Sequence, residues 1–309
     1  MSKKFVYLPN NFDEVTTSKV GSYASELNSL LKLNANIPKF AVLPLDTLKI
    51  IAQTNNLQAK IFKIVKETDF SGIFYKKRAQ KKIEKLIINQ KIPKELASEL
   101  LDIYHRYLKK SFVLIKNSSP LQGNDIVTEN IQSDTNFVAA LLETWAKISI
   151  SKIEKLFSQP YSIYDLLFPC PLLIIQQIEP KVSGIVYTFD LKDGNKTRFT
   201  IKSSWGVYKE KQDELDQYFV DIRTNNVVNK IITSKNKQHR RVLGKLRLDQ
   251  VLVKDKNLET ISLQQIQEIA KICNKIKRNH LSQLKIYWGI ENNQLFIEKI
   301  EQTELTYEK

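Results

Sequence analysis

Three dipeptides in the second half of the chain, Asp193-Gly194, Asn225-Asn226 and Asn292-Asn293, each stand between two apolar or alternating runs. Asn, Asp and Gly tolerate the left-handed backbone of tight turns, so each pair predicts that the chain folds back on itself. The surrounding segments "SGIVYTFDLKDGNKTRFTIKSSWG" (183–206), "DQYFVDIRTNNVVNKII" (216–232) and "KIYWGIENNQLFIEKIE" (285–301) therefore read as antiparallel strands. The apolar run "PLLIIQQI" (171–178) reads as a strand buried on both faces, and "SFVLIKNSS" (111–119) as a strand ending in a polar turn.

The first third has another period. "DTLKIIAQTN", "LQAKIFKIVKET", "KKIEKLIINQ" and "PKELASELLDIYHRYLKK" carry Leu, Ile and Tyr at i, i+3, i+4 spacing, with Pro93 placed at a helix start. Residues 22–33, 136–157 and 262–281 share that spacing. Helices that precede a run of antiparallel strands predict an α+β chain of two lobes, divided here as 1–178 and 179–309.

Composition narrows the function. No apolar run reaches the roughly 18 residues of a membrane span, and the N-terminus has no signal-peptide core, so a cytoplasmic protein without a membrane partner is expected. Cys170 and Cys273 are far apart, as are His105, His239 and His280, which speaks against a disulfide framework or a zinc site. The net charge of +15 favours anionic partners, yet only eight of the 48 basic residues are arginine. Base-reading proteins favour arginine for bidentate contacts. The clusters "YKKRAQKK" (75–82) and "KNKQHRR" (235–241) remain candidate surfaces for RNA or an acidic protein.

Near the N-terminus, Gly21 precedes a helical pattern. A glycine there either brings backbone N–H groups to a phosphate or only admits the chain into the helix, and the spacing permits both.

Taken in order, these landmarks resemble the nucleotide-binding part of phosphoenolpyruvate synthase and pyruvate phosphate dikinase. "VGSYASELNSLLKLNANIPKFAV" is similar to the family's Gly-Gly-Lys-Gly-Ala-Asn-Leu opening and the strand after it, and "FVLIKNSS" to its Val-Arg-Ser-Ser strand end. "LIIQQIEPKVSGIVYTFD" resembles Val-Gln-x-Met…Ser-Gly-Val-x-Phe-Thr. "SSWGVYKE", "DQYFVDIRTNNVV" and "IYWGIENNQLFIEKIE" resemble its Trp-Gly-Leu-Gly-Glu, Asp-x-Tyr-Val-Val-Asp-Lys and Ile-Glu-Trp-Ala…Val-Gln-Ala-Arg-Pro elements. The resemblance spans nearly the whole chain and implies a two-lobed ATP-grasp fold that holds ATP or another adenine nucleotide.

In that family cations grip the triphosphate and carboxylate or amide groups hold Mg²⁺, because charge stabilisation dominates phosphoryl transfer. Carried over residue by residue, the match puts Gly21, Tyr23, Lys116, Gln176, Gln177, Ile178, Thr188 and Lys209 at the nucleotide, with Lys116 the catalytic candidate. Tyr23 stands where the family has its phosphate-contacting lysine, and Lys116 where it has an arginine. The family's magnesium-binding glutamate falls on Tyr287 and its last-strand glutamine on Lys299. Neither supplies the oxygen donors a hard cation needs, so degenerate catalysis is expected. Glu210, Glu291 and Glu298 are the candidates for a relocated metal site. No histidine has the family's phosphohistidine context, and a separate chain carrying the phosphate acceptor is a candidate partner. The alternatives are a working phosphotransferase with a rebuilt metal site, and a basic module that binds RNA or an acidic protein.

Overall fold

A computed structural model describes residues 5–9, 12, 16–68, 72–120, 125–156, 167–168, 170–210 and 212–304. The chain forms two compact units, Met1–Asn28 with Lys39–Gln177 and Ser29–Pro38 with Ile178–Lys309. Residues 29–38 thus group with the second unit.

The first unit holds a four-stranded antiparallel sheet in the order β1-β4-β2-β3, from β1 (Phe40–Leu43), β2 (Val113–Asn117), β3 (Val127–Ile131) and β4 (Leu172–Gln176). Every residue of β1 is buried, as are the first four of β4, which fits their unbroken apolar runs. Two helices at the N-terminus, α1 (Thr17–Val20) and α2 (Ser22–Lys32), precede β1. Between β1 and β2 come α3 (Leu45–Thr54), α4 (Leu57–Glu67), α5 (Ile73–Ile88) and α6 (Lys94–Asp102). Their apolar stripes, among them Leu48, Ile51, Ile61, Ile83, Ile87, Leu96 and Leu100, form one core with Trp145 of α7 (Asp134–Leu156). Residue 157, the expected end of α7, lies outside the described residues.

Two features of this unit escape the sequence pattern. After α6 the helix widens into a π turn, Ile103–Tyr107, where Tyr104 stacks on Phe137 at 4.8 Å and accepts the Ser133 N–H at 3.0 Å. Strand β3 is half exposed at the sheet edge and lacks an apolar run.

The second unit carries a six-stranded antiparallel sheet in the order β12-β11-β5-β6-β7-β8. Its strands are β5 (Val182–Tyr187), β6 (Arg198–Trp205), β7 (Asp216–Asp221), β8 (Val227–Ile231), β11 (Gln283–Glu291) and β12 (Gln294–Thr303). All three expected hairpins form. Gly194, Asn225, Asn292 and Asn293 have positive φ, as the turn argument requires. Helix α8 (Leu263–Arg278) is held at its start by a reciprocal Ser262–Gln265 capping box and buries Ile266, Ile269, Ala270, Cys273 and Ile276. Cys170 and Cys273 are both buried and unbridged.

A further hairpin, β9 (Lys237–Val242) and β10 (Lys245–Gln250), occupies the segment read from sequence only as a basic cluster. It turns at Leu243-Gly244, both with positive φ. No residue of either strand is buried, and although Leu246 and Leu248 alternate with Lys245, Arg247 and Asp249, the segment's charge is its stronger sequence signal.

Gly184 is fixed by its neighbours. A Cβ there would fall 1.9 Å from the Lys202 carbonyl oxygen and 2.8 Å from Cζ2 of buried Trp288. Two of the residues that carry the family resemblance therefore specify one another's packing.

Candidate functional site

In the first unit, the expected phosphate-contacting residues meet at the end of β2. Gly21 has φ of 87° and separates α1 from α2. A Cβ on it would lie 2.3 Å from the Ser118 carbonyl oxygen. The same oxygen accepts the Tyr23 N–H at 2.9 Å, and the Ser118 hydroxyl donates to the Val20 carbonyl. Gly21 thus lets the backbone approach closely, and the partner approached is the chain's own Ser118. The Tyr23 N–H is spent on that contact.

Lys116 extends over the Tyr23 ring, its Nζ 4.4 Å from the ring centroid. It also pairs with Asp125, Nζ to Oδ2 at 3.5 Å, the side chains being 13% and 20% exposed. Asp125 is the hub: its Oδ1 accepts from the Tyr23 hydroxyl at 3.1 Å and from Asn117 Nδ2 at 2.9 Å. Nothing in the sequence marked Asp125, which lies in no motif. Its effect is electrostatic, for it pairs with the Lys116 ammonium.

The other candidates of this unit are tied into the sheet. The Gln176 N–H donates to the Lys39 carbonyl and the Gln177 N–H to the Phe112 carbonyl, each at 2.8 Å. The Gln177 side chain exchanges two 3.2 Å hydrogen bonds with Asn130. Both backbone N–H groups are thus used within the first unit's own hydrogen bonds.

In the second unit, strand register builds a polar face. Tyr287 stands opposite Lys299 on one side and Ile185 on the other, and Ile185 opposite Lys202. The next row is Glu301, Lys285, Tyr187 and Thr200. Directly paired residues share a face and i, i+2 residues repeat it, so three lysines and two tyrosines project to the same side. The Nζ atoms of Lys202 and Lys285 lie 5.9 and 5.7 Å from the Tyr187 ring centroid, and that of Lys299 lies 5.8 Å from that of Tyr287. Lys299 is also bonded to Glu301 at 2.5 Å.

The Tyr287 hydroxyl lies within hydrogen-bond distance of two carboxylates, Glu210 Oε1 and Glu301 Oε2. Burial first, and then those two carboxylates, push its phenol above the ordinary tyrosine range. It stays protonated and acts as a donor. Glu301 was missed from sequence, although strand alternation placed it on the Lys299 face two residues on.

The turn after β6 delivers Glu210. Ser183 donates to the Gly206 carbonyl at 2.7 Å and accepts the Tyr208 N–H at 2.6 Å, and the Val207 N–H donates to the His239 carbonyl. Gly206 has no room for a side chain, since a Cβ would fall 2.0 Å from that same carbonyl oxygen. Lys209 lines a groove of about 480 Å³ with Lys237, His239 and Leu248.

The remaining candidates are dispersed. Thr188 is fully buried, donates to Gln283 Oε1 and accepts the Leu284 N–H, so its hydroxyl joins the end of β5 to β11. Glu291 accepts the Glu179 N–H at 2.6 Å. Glu298 occupies the register shift where β12 passes Tyr287 and Trp288. Ile178 is buried. Among the described residues, no group of three or more His, Cys, Asp or Glu side chains is arranged to hold a metal ion. Mg²⁺ does not fit the positions the resemblance assigns to it, which hold a protonated phenol and an ammonium group instead of carboxylate and amide oxygens.

The family model for the pyruvate phosphate dikinase AMP/ATP-binding domain matches residues 17–299. A curated protein described as a probable phosphoenolpyruvate synthase, from Methanocaldococcus jannaschii, is 19% identical over 314 residues. That alignment covers 96% of this chain and 26% of the relative, so the chain spans about a quarter of that protein's length. Among solved structures, D-alanine-D-alanine ligase from Helicobacter pylori shows a TM-score of 0.37 at 11% identity, covering 94% of this chain and 55% of the other. The ADP complex of N5-carboxyaminoimidazole ribonucleotide synthetase shows 0.34 at 8% identity, covering 93% and 46%. Among the described residues, no helix is long and apolar enough to cross a membrane.

Proposed function

The chain belongs to the pyruvate phosphate dikinase AMP/ATP-binding domain family, and we propose that it binds an adenine nucleotide without carrying out Mg²⁺-dependent phosphoryl transfer. The observation that carries this reading is the pairing of Tyr287 with Lys299 across β11 and β12. An ammonium group supplies one positive charge to a phosphate without coordinating it, whereas Mg²⁺ bridges phosphate oxygens and polarises them for transfer. A face with Lys202, Lys285 and Lys299 can therefore attract a nucleotide and leave it intact.

The first-unit cluster supports the same reading. Lys116 faces Asp125, so it offers a phosphate less net charge than an arginine in the open would. Its role is anion attraction at most, and the acceptor of a transferred phosphate has no part in the proposal.

Thermal melting with ATP, ADP and AMP, each with and without Mg²⁺, tests it. The expected result is stabilisation by nucleotide that Mg²⁺ does not increase. Release of AMP and phosphate from Mg·ATP, or stabilisation seen only with the metal, would overturn the reading in favour of a working phosphotransferase. If no nucleotide shifts the melting curve at millimolar concentration, nucleotide binding itself is refuted.

A further inference from the structure

Helix α5 presents an outward face that the nucleotide reading leaves unused. Its core side is Ala79, Ile83 and Ile87, all buried. Opposite them, Lys77, Arg78, Lys81, Lys82 and Lys85 are all exposed, at i, i+1, i+4, i+5 and i+8. That spacing is one continuous stripe about 12 Å long at 1.5 Å rise per residue. At the N-terminal end of the stripe, Ile73 and Phe74 are 73% and 71% exposed and Tyr75 is about half exposed. The neighbouring helix α4 adds exposed Phe62, with Lys63 and Lys66 beside it in sequence and one turn on.

Large apolar side chains left in water mark a surface that meets something. We propose that the outward face of α5 docks on a membrane surface rich in anionic lipid, with Ile73 and Phe74 entering the headgroup–acyl boundary and the cationic stripe lying on the headgroups. Charge complementarity is direct, since four to eight cations on one helix suit an anionic leaflet. The apolar group favours lipid over nucleic acid. Ile73, the most exposed of its side chains, offers no ring for a base to stack on. The Phe74 and Tyr75 rings meet edge to face at 5.9 Å and 80°, packing on one another. Lysines, four of the five cations in the stripe, act as point charges suited to headgroups and unsuited to reading bases. The sequence expectation of no membrane partner concerned spanning and secretion; a helix that lies on the surface needs neither.

Co-sedimentation of the full chain with phosphatidylcholine vesicles, with and without phosphatidylserine, provides the test, with K77E/K81E and I73S/F74S as variants. K237E/R240E on the β9–β10 hairpin changes net charge equally at another site and is the control. The chain is expected to bind only the phosphatidylserine vesicles and to be released by salt. Each α5 variant should lower partitioning about tenfold or more, while the hairpin variant keeps it. All the substituted side chains are exposed, and melting curves verify folding. The vesicle comparison with the unaltered chain stands without any variant: absence of binding at low salt overturns the proposal. So does equal loss in the hairpin variant, which would mean net charge alone, or full binding by I73S/F74S. Binding to poly(U) RNA that is tighter than to the vesicles and survives I73S/F74S would also overturn it, assigning the stripe to nucleic acid.

Discussion

Lys235 and Asp216 form an ion pair closed off from water, Nζ to Oδ1 at 2.5 Å with side chains 1% and 0% exposed. Both carboxylate oxygens and two of the three ammonium protons have partners: Asp216 also accepts the Thr233 and Thr260 N–H groups and the Thr260 hydroxyl, and Lys235 donates to the Thr233 carbonyl. Removing one partner leaves a buried charge alone, so D216N or K235A should cost about 3–5 kcal/mol in urea unfolding. Replacing both with apolar residues of similar volume should cost clearly less.

Gly21 should tolerate no side chain. Its positive φ and the 2.3 Å approach to the Ser118 carbonyl oxygen act together, so G21A should destabilise by roughly 1–3 kcal/mol. A stability loss with unchanged nucleotide affinity, read by isothermal titration on the folded fraction, separates this packing role from a phosphate-loop role.

Y287E/K299Q puts carboxylate and amide oxygens back at the two facing positions of β11 and β12. Nucleotide binding in that variant should become dependent on Mg²⁺ and weaken in its absence, because a cation is removed and anions accumulate beside Glu210 and Glu301. Titrating ATP with and without metal checks it. Unaltered, metal-independent affinity would count against these positions facing the nucleotide.

Two histidines give the chain a pH dependence. Burial, followed by the charge of Lys209 for His239 and of Lys277 for His280, holds both below the ordinary value of 6.5. The folded chain keeps these rings neutral where the unfolded chain would bind protons. Their contribution to stability is therefore present above 6.5 and is lost as pH falls below it. Melting temperatures should decline through that window, and the decline should be shallower in H239Q/H280Q.

The parts of this fold that were legible in the sequence are those where a local rule and the tertiary structure agree. Asn292-Asn293 needs positive φ and stands between alternating runs, so its hairpin was readable from about a dozen residues. The β9–β10 hairpin also turns at positive φ, at Leu243-Gly244, but its strands bury no residue and carry only the short alternation of Leu246 and Leu248 among charged neighbours, so the basic cluster is the stronger signal. The site was legible only as identities. Tyr23, Lys116, Tyr287 and Lys299 could be named, yet what neutralises them could not. Asp125 acts on Lys116 from nine residues away in sequence, and Glu210 reaches Tyr287 across 77 positions. Such pairings depend on where strands end, which composition and periodicity do not encode.

Residues 29–38 belong to the second unit, where Asn36 accepts the Ile297 N–H and donates to the Leu295 carbonyl, both at 2.9 Å. A single cut near residue 178 would therefore yield a carboxyl-terminal fragment short of its own building material. Strand β12 would lose a lateral clasp supplied from some 260 positions upstream. Ownership of structure in this chain is interleaved: the polypeptide visits the second unit, leaves for the whole of β1 to β4, and returns. Separating the two units by genetic dissection requires carrying that early stretch across to the other piece.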